Sequence, residues 1–322
     1  MRTFLLVAGV LVLQLGFILS YVGAFHSPRP VRIPIGVVAP ATVATKITSE
    51  LNKIHSDPVH AAVVDGVPGA RRRLKDSTLT AALVVSTTTK TDTLLIAQAD
   101  GSSIATAAQE VITDAESSLH RSVTVVDVVP LQAGDGRGLT GFYLVVGWMV
   151  GGYLVASLLG ISAGALPATW RRSVIRLLSM VPYAIFSGLG GAIIVGPVLG
   201  ALNGHLVALW WLGALLVLSA CTVTMALQTL FGVIGIGLAV LLFVVLGNPS
   251  AGGAYQAALL PPFWRALSSA LPNGAGVDSV RRIVYFGAQG IGHDVVVTAL
   301  YAIVGAAVTI VVARRAERRK VA

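Results

Sequence analysis

The chain has 322 residues, of which 55% are hydrophobic and only 11% are charged. A soluble domain carries roughly 25% charged residues, so this composition excludes an ordinary soluble protein and favours one that spans a bilayer. The formal net charge is +9, but the C-terminal basic residues flank an apolar segment, which indicates a cytoplasmic membrane flank rather than a nucleic-acid site. This cluster consists of Arg314, Arg315, Arg318, Arg319 and Lys320. The expected partner is the lipid bilayer, and no nucleic acid.

The first apolar run covers residues 4–22, and about 20 such residues cross a bilayer as a helix. Val22, Gly23 and Ala24 resemble a small-residue cleavage site, so a cleaved signal peptide is one alternative. The run is longer than the roughly 7–15 apolar residues of a signal-peptide core. We therefore predict that residues 1–24 form an uncleaved signal anchor, which is the first transmembrane helix.

Residues 25–138 differ from the rest of the chain, because they contain most of the acidic residues and alternate short β-branched runs with amphipathic stretches. This alternation predicts a small α/β domain with its own core. The predicted strands are 31–38, 60–64, 79–86, 93–99 and 123–130, and the predicted helices are 42–54, 69–76 and 103–120.

Residues 139–322 are apolar again and predict a domain of five transmembrane helices, at about 140–165, 175–200, 205–228, 230–248 and 292–313. The segment from about 247 to 290 is rich in Gly and Pro, so it is too broken to span a bilayer and too apolar for a free loop. We predict re-entrant or amphipathic helices there. The predicted fold class is a polytopic α-helical membrane protein with six transmembrane helices and a small extracytoplasmic α/β domain between the first and second.

Basic residues in the short loops predict the orientation. Arg171, Arg172 and Arg176 lie in one loop, the C-terminus is rich in Arg, and the loop at 201–204 has no charge. This pattern places both termini in the cytoplasm and the α/β domain outside. The high content of Ala, Val, Gly and Arg suggests a bacterium, so the expected location is a bacterial cytoplasmic membrane.

The sequence lacks the common motifs of catalytic, nucleotide-binding and metal-binding sites. It contains no Asp or Glu between Asp135 and Asp278, so the predicted helices two to five carry no carboxylate, which disfavours a proton-coupled transporter. It also has no H-E-x-x-H, G-x-S-x-G or G-x-x-x-x-G-K-[ST] pattern. We predict a protein that is not an enzyme, with no catalytic, cofactor-binding or metal-binding residues. If ATP drives it, the ATPase is another polypeptide.

The layout and the 247–290 segment together resemble ABC-2-type transporter permeases, particularly the YhgE/Pip-like branch. Those proteins have one helix, an extracytoplasmic domain and five more helices, with a small-residue turn and two Leu-Pro steps before the last helix. Here these features correspond to the turn at 248–253, the steps Leu260-Pro261 and Leu271-Pro272, and Arg281, and the strand predicted at 31–38 also resembles the start of their outer domain. Together with Trp264, an expected interfacial anchor, this segment gives the candidate outer re-entrant motif, namely Asn248, Pro249, Gly252, Gly253, Pro261, Trp264, Pro272 and Arg281.

The resemblance implies the membrane subunit of an exporter that moves a hydrophobic or amphipathic substrate, as a homodimer with a separate ATP-binding-cassette ATPase. It further implies that the first intracellular loop, at 168–176, couples to that ATPase through Trp170, Arg171, Arg172 and Arg176. A membrane anchor would explain these basic residues equally well. The alternative function is a non-transporting envelope scaffold or partner-binding membrane protein.

Overall fold

A computed structural model describes residues 2–165 and 169–321 of the chain. Within these ranges, 5 helices are long and apolar enough to cross a membrane. They are Val7–Phe25, Thr140–Ser162, Trp170–Val198, Leu206–Phe231 and Gly292–Arg319. The chain is therefore a polytopic helical membrane protein, and it also contains a small mixed sheet.

The sheet and its helices lie in the chain between the first two of these apolar helices. Each strand and helix predicted for this region is present, with ends that differ by a few residues. In order, the elements are α1 (Arg2–Phe25), β1 (Ile33–Val38), α2 (Ala41–Leu51), β2 (Val59–Val63), α3 (Gly66–Lys75), β3 (Ala81–Val84), β4 (Thr91–Ile96), α4 (Ser102–Ser118) and β5 (Ser122–Asp127).

The strands form a 5-stranded sheet in the order β2-β1-β3-β4-β5. β1 is parallel to β2 and β3, whereas β4 is antiparallel to β3 and parallel to β5. Successive strand side chains point to opposite faces. Ile35 and Leu83 pack in one core with α2 and α4, whereas Ala82 and Leu95 pack in another with Leu74 of α3. Helices therefore cover both faces of the sheet.

Glu116, near the end of α4, is a buried carboxyl beside a second carboxyl, Asp92 of β4. Arg121 donates a 2.7 Å hydrogen bond to Asp92 and lies 3.4 Å from the Glu116 Oε2 atom. Burial raises the pKa of Glu116 to about 7, and the Asp92 carboxylate acts in the same direction.

We expect this raised pKa to make the folded protein less stable as the pH rises. Folding favours the protonated form of Glu116, so its stabilising contribution is present below about pH 4.5 and is lost as the pH rises through about 7. In Glu116→Gln, the thermal midpoint of the detergent-solubilised chain should fall less between about pH 5 and about pH 8. Glu110→Gln changes an exposed carboxyl on the same helix. An equal flattening in Glu110→Gln would contradict the expectation.

The remaining described residues form a helical bundle. Its elements are α5 (Thr140–Ser162), α6 (Trp170–Ile193), α7 (Leu206–Phe231), α8 (Ile234–Val240), α9 (Gly247–Ser250), α10 (Pro262–Ala270), α11 (Pro272–Tyr285) and α12 (Gly292–Val321). α7 is the central helix, since it packs against α5, α6 and α12. In its most apolar 18-residue stretch 56% of the residues are buried, compared with 11% in the N-terminal apolar helix.

Trp148 of α5 fills the space where α5, α6 and α7 meet. Its ring lies against Gly191 of α6 and Gly213 of α7, where any side chain would collide with the indole. The indole Nε1 atom donates a 3.1 Å hydrogen bond to the carbonyl oxygen of Ser187. The side chain is 3% exposed, so this tryptophan holds the three helices together with its polar atom satisfied.

The helix predicted at 230–248 is present as a shorter apolar helix, Ile234–Ser250. It consists of α8, a π-helical segment (Leu241–Leu246) and α9. The π-helical segment packs against α1, and the Ser20 hydroxyl donates a hydrogen bond to the carbonyl oxygen of Val245. A π-helical segment disturbs the regular hydrogen-bond ladder, so neighbouring side chains can satisfy its carbonyl groups.

For the helix predicted at 175–200, the predicted first residue is wrong. α6 begins at Trp170, so Trp170, Arg171 and Arg172 lie in its first turn and Arg176 in the second, rather than in a loop. Thr169 explains the earlier start, because its hydroxyl accepts a hydrogen bond from the Arg172 backbone N–H and caps the helix.

Candidate functional site

The segment between α9 and α12 folds as a helical hairpin, α10–α11. A proline opens each helix, Pro262 in α10 and Pro272 in α11, where the missing N–H of proline is harmless. α11 packs against α5, α7 and α12. At Gly276, a side chain would press on Leu216 of α7 and Val145 of α5. The hairpin is thus inserted between the long helices.

The turn of the hairpin is fixed by close backbone contact and by buried amide groups. Gly274 lies against the backbone carbonyl of Ser268 in α10, which leaves no room for a side chain. The Asn273 side chain donates 3.0 Å hydrogen bonds to the carbonyl oxygen of Phe243 and to the Asn248 Oδ1 atom. Asn273 is fully buried, so these bonds tie the hairpin turn to the π-helical segment and α9.

The segment just before the hairpin is joined to the α/β domain. The Gln256 side chain accepts a 3.0 Å hydrogen bond from the backbone N–H of Ile104 and so caps the start of α4. The backbone N–H of Val31 donates a 3.0 Å hydrogen bond to the carbonyl oxygen of Ala258. Leu259 is 3% exposed and belongs to the sheet core beneath α2 and α4. Residues 256–259 therefore form a joint that connects the α/β domain to the hairpin.

The predicted re-entrant motif residues gather around this joint. Gly253 lies against the Phe142 ring of α5, and Gly252 accepts a 3.2 Å hydrogen bond from Arg281 through its carbonyl oxygen. Pro261 immediately precedes α10. Trp264 packs with Ala24 of α1 and Leu260. The remaining members lie in α9 and at the start of α11, namely Asn248, Pro249 and Pro272.

A charged cavity of about 390 Å³ lies between the hairpin, the α/β domain and the start of α12. Its charged lining residues are Asp100, Arg265, Asp278, Arg281 and Asp294. Asp278 accepts a 2.5 Å hydrogen bond from the Arg282 Nε atom and lies 3.7 Å from Arg281. The charge of Asp278 is therefore compensated by the two arginines of α11.

Asp100 brings a carboxyl from the α/β domain to this cavity. It accepts hydrogen bonds from Thr80 and Ser77, at 2.8 and 3.0 Å. Burial raises the pKa of Asp100, and the Arg281 charge partly opposes this. Sequence reasoning missed Asp100, Asp278 and Asp294 as a group. Arg281 and Arg282 follow Asp278 by three and four residues, and this spacing on a helix predicts ion pairs.

At the other end of α5 lies the predicted coupling region. Trp170 donates a 3.0 Å hydrogen bond from its backbone N–H to Glu317 of α12, and the Arg314 guanidinium lies 4.6 Å from the Trp170 ring centre. Arg176 donates a 2.7 Å hydrogen bond to the carbonyl oxygen of Gly164. Trp170 therefore ties the start of α6 to the end of α12, and Arg176 ties the second turn of α6 to Gly164.

Arg171 and Arg172 differ from these neighbours, because both side chains are exposed at the start of α6. Residue 168, the first of the predicted coupling loop, lies outside the described residues. The structure thus separates this region into fixed residues, Trp170 and Arg176, and an exposed arginine pair.

Within the described ranges, no group of three or more His, Cys, Asp or Glu residues is placed to hold a metal ion. Comparison with known proteins finds no matching family model, no matching curated protein and no matching solved structure.

Proposed function

We propose that this chain is the permease-like subunit of an ABC-2-type exporter that moves a hydrophobic or amphipathic substrate with the help of a separate ATPase. In this proposal the helix Ile234–Ser250 is the fifth of six spans. Both termini are cytoplasmic and the α/β domain is extracytoplasmic, in a bacterial cytoplasmic membrane. The working unit is a homodimer bound to the ATPase.

The α10–α11 hairpin is the observation that carries the proposal. It occurs between the last two apolar helices, where the resembling permeases carry their Leu-Pro segment. It contacts the long helices α5, α7 and α12 on one side and continues into the core of the α/β domain on the other. A movement of the helices would therefore be transmitted directly to the domain. In the proposed exporter, this movement lets the substrate pass the domain on its way out.

The distribution of carboxylates supports an external energy source. Residues 136–277 contain no Asp or Glu, and buried carboxylates are the usual proton carriers of coupled transporters. Asp278 is held by Arg282, and Asp294 lies in the first turn of α12 on the side of the α/β domain. ATP hydrolysis by a partner fits this arrangement better than a proton gradient does.

The exposed arginine pair supplies the docking surface for that ATPase. α5 is 23 residues long, which corresponds to about 35 Å of helix and separates Arg171 and Arg172 from the α/β domain. Because Trp170 is bonded to Glu317 and Arg176 to Gly164, the helix turn that carries the two guanidinium groups is held at both ends.

Replacing Arg171 and Arg172 together by alanine is expected to lower the amount of co-purified ATPase by about tenfold or more, because docking energy concentrates in a few residues. Export should fall in parallel, while membrane insertion stays normal. The matched control is Arg318→Ala with Arg319→Ala, a second exposed arginine pair at the end of α12.

Recovery of no ATPase with the native chain, together with export that persists after ATP depletion, would overturn the proposal. Export that collapses with a protonophore but not with ATP depletion would do so as well. A normal phenotype in the Arg171 and Arg172 double variant would favour the non-transporting envelope protein, in which these residues only anchor the chain.

A further inference from the structure

A groove runs between α2 and α4 on the face of the sheet that both helices cover. α2 packs mainly on β2 and β1, whereas α4 packs mainly on β5 and β3. The two helices are thus spread across the sheet, and a cavity of about 910 Å³ remains between them. Ligand sites for small molecules have volumes of about 300–1,000 Å³, so the groove is large enough for a small molecule.

Two facing apolar stripes line the groove. Val43, Ile47 and Leu51 follow one another at four-residue intervals on α2. Val111 and Ala115 on α4, and Leu119 just after its end, have the same spacing. Residues spaced by four lie on one face of a helix. Val43 is 39% exposed and Leu119 is 62% exposed. The stripes therefore leave apolar surface in contact with water, and an aliphatic ligand would cover it.

The charged residues of the groove are mostly acidic. Glu50, Asp114 and Glu116 line it together with one basic residue, Lys46. The Glu116 side chain is only 5% exposed, and its Oε2 atom has no hydrogen-bond partner among the described residues. Arg121 lies 3.4 Å from this oxygen but forms no hydrogen bond with it. A buried oxygen without a hydrogen bond is costly, and an N–H group of a ligand would supply the missing donor.

We propose that this groove binds an amphiphile with one aliphatic chain and a cationic head group. The chain lies between the two apolar stripes, and the head group lies at the acidic end near Glu116. An anionic head group would be repelled by the three carboxylates that line the groove. The site lies in the α/β domain and does not depend on the exporter proposal, so each can fail without the other.

The test uses the full chain in lipid nanodiscs and a dodecylammonium probe with a photoreactive diazirine in its chain. After irradiation, labelled peptides are mapped by mass spectrometry, which separates groove binding from partitioning into the bilayer. We expect labels within α2 and within residues 111–119. Val43→Trp should fill the groove and reduce this labelling by about tenfold, which corresponds to about 1.4 kcal/mol of binding free energy.

Thr45→Trp is the matched control, because Thr45 is exposed on the same helix but does not line the groove. It should leave labelling unchanged. Ala115→Phe is a second groove-filling variant, to be used if Val43→Trp is recovered poorly. Unchanged labelling in a well-folded groove-filling variant overturns the proposal. If that variant also changes the oligomeric mass of the protein, a second copy of the chain is the occupant of the groove.

Glu116→Gln tests the choice of head group while keeping the shape of the groove. It should weaken labelling by the ammonium probe about threefold or more, yet leave labelling by the uncharged dodecanol analogue unchanged, because only the first loses a charge-assisted contact. A dodecyl sulfate analogue should label the native groove least. Equal labelling by the sulfate and ammonium probes would contradict the assignment of a cationic ligand.

Discussion

Replacing Gly274 by alanine is expected to prevent the α10–α11 hairpin from closing. A Cβ atom at this position would overlap the carbonyl oxygen of Ser268 and lie 2.7 Å from its carbonyl carbon. Overpacking against side chains costs about 1–3 kcal/mol because rotamers adjust. The Ser268 carbonyl belongs to the backbone of α10, so we expect a cost above about 3 kcal/mol.

This cost should appear as loss of the monodisperse detergent-solubilised protein in size-exclusion chromatography and as a lower thermal midpoint. Gly190→Ala is the control, since Gly190 also lies in a helix and has no atom within 4 Å of an added Cβ. Gly274→Ala with native behaviour in both measurements would show that the hairpin turn is looser than the contact with Ser268 implies.

Replacing Trp148 by alanine should have the second large effect. The change removes a side chain that is 3% exposed and leaves a cavity between α5, α6 and α7. Truncation of a buried tryptophan costs about 3–5 kcal/mol. The carbonyl oxygen of Ser187 also loses the 3.1 Å hydrogen bond from the indole.

Equilibrium unfolding in mixed micelles of neutral detergent and dodecyl sulfate measures this loss. Trp211→Ala is the matched control, because Trp211 is 56% exposed on α7 and should change stability by no more than about 0.5 kcal/mol. Trp148→Phe should lie between the native protein and Trp148→Ala, since it keeps most of the packing but not the hydrogen bond. Equal losses for Trp148→Ala and Trp211→Ala would contradict the packing role.

The order of strands and helices in the α/β domain was predictable, because alternating apolar residues and β-branched runs reflect burial directly. The ends of these strands and helices were harder to predict, because the backbone conformation of a single residue sets each of them. β1 begins at Ile33 rather than at residue 31, because Arg32 has a φ of 52°, which no strand accommodates. Likewise Gly232, with a φ of 63°, ends α7 and delays the following helix to Ile234.

The hairpin was predictable as a break in the apolar pattern, because its prolines and glycines cannot continue a spanning helix. Its contacts were not. Nothing in the spacing of Gln256 indicates that it caps α4, and nothing in Asp100 indicates that it faces Asp278 and Arg281. These contacts join residues more than 150 positions apart, and only the folded chain brings them together.

The joint at residues 256–259 has a consequence for the order in which the chain is made. The sheet is complete in sequence by residue 127, but its core also contains Leu259. A ribosome adds about 5–20 residues per second, so the domain waits on the order of ten seconds for that side chain. Until then, the sheet core lacks Leu259 and α4 lacks its Gln256 cap. The Leu259 side chain joins the sheet core only after α5, α6 and α7 have been synthesised, so a complete sheet core is a sign that the chain has been made past residue 259.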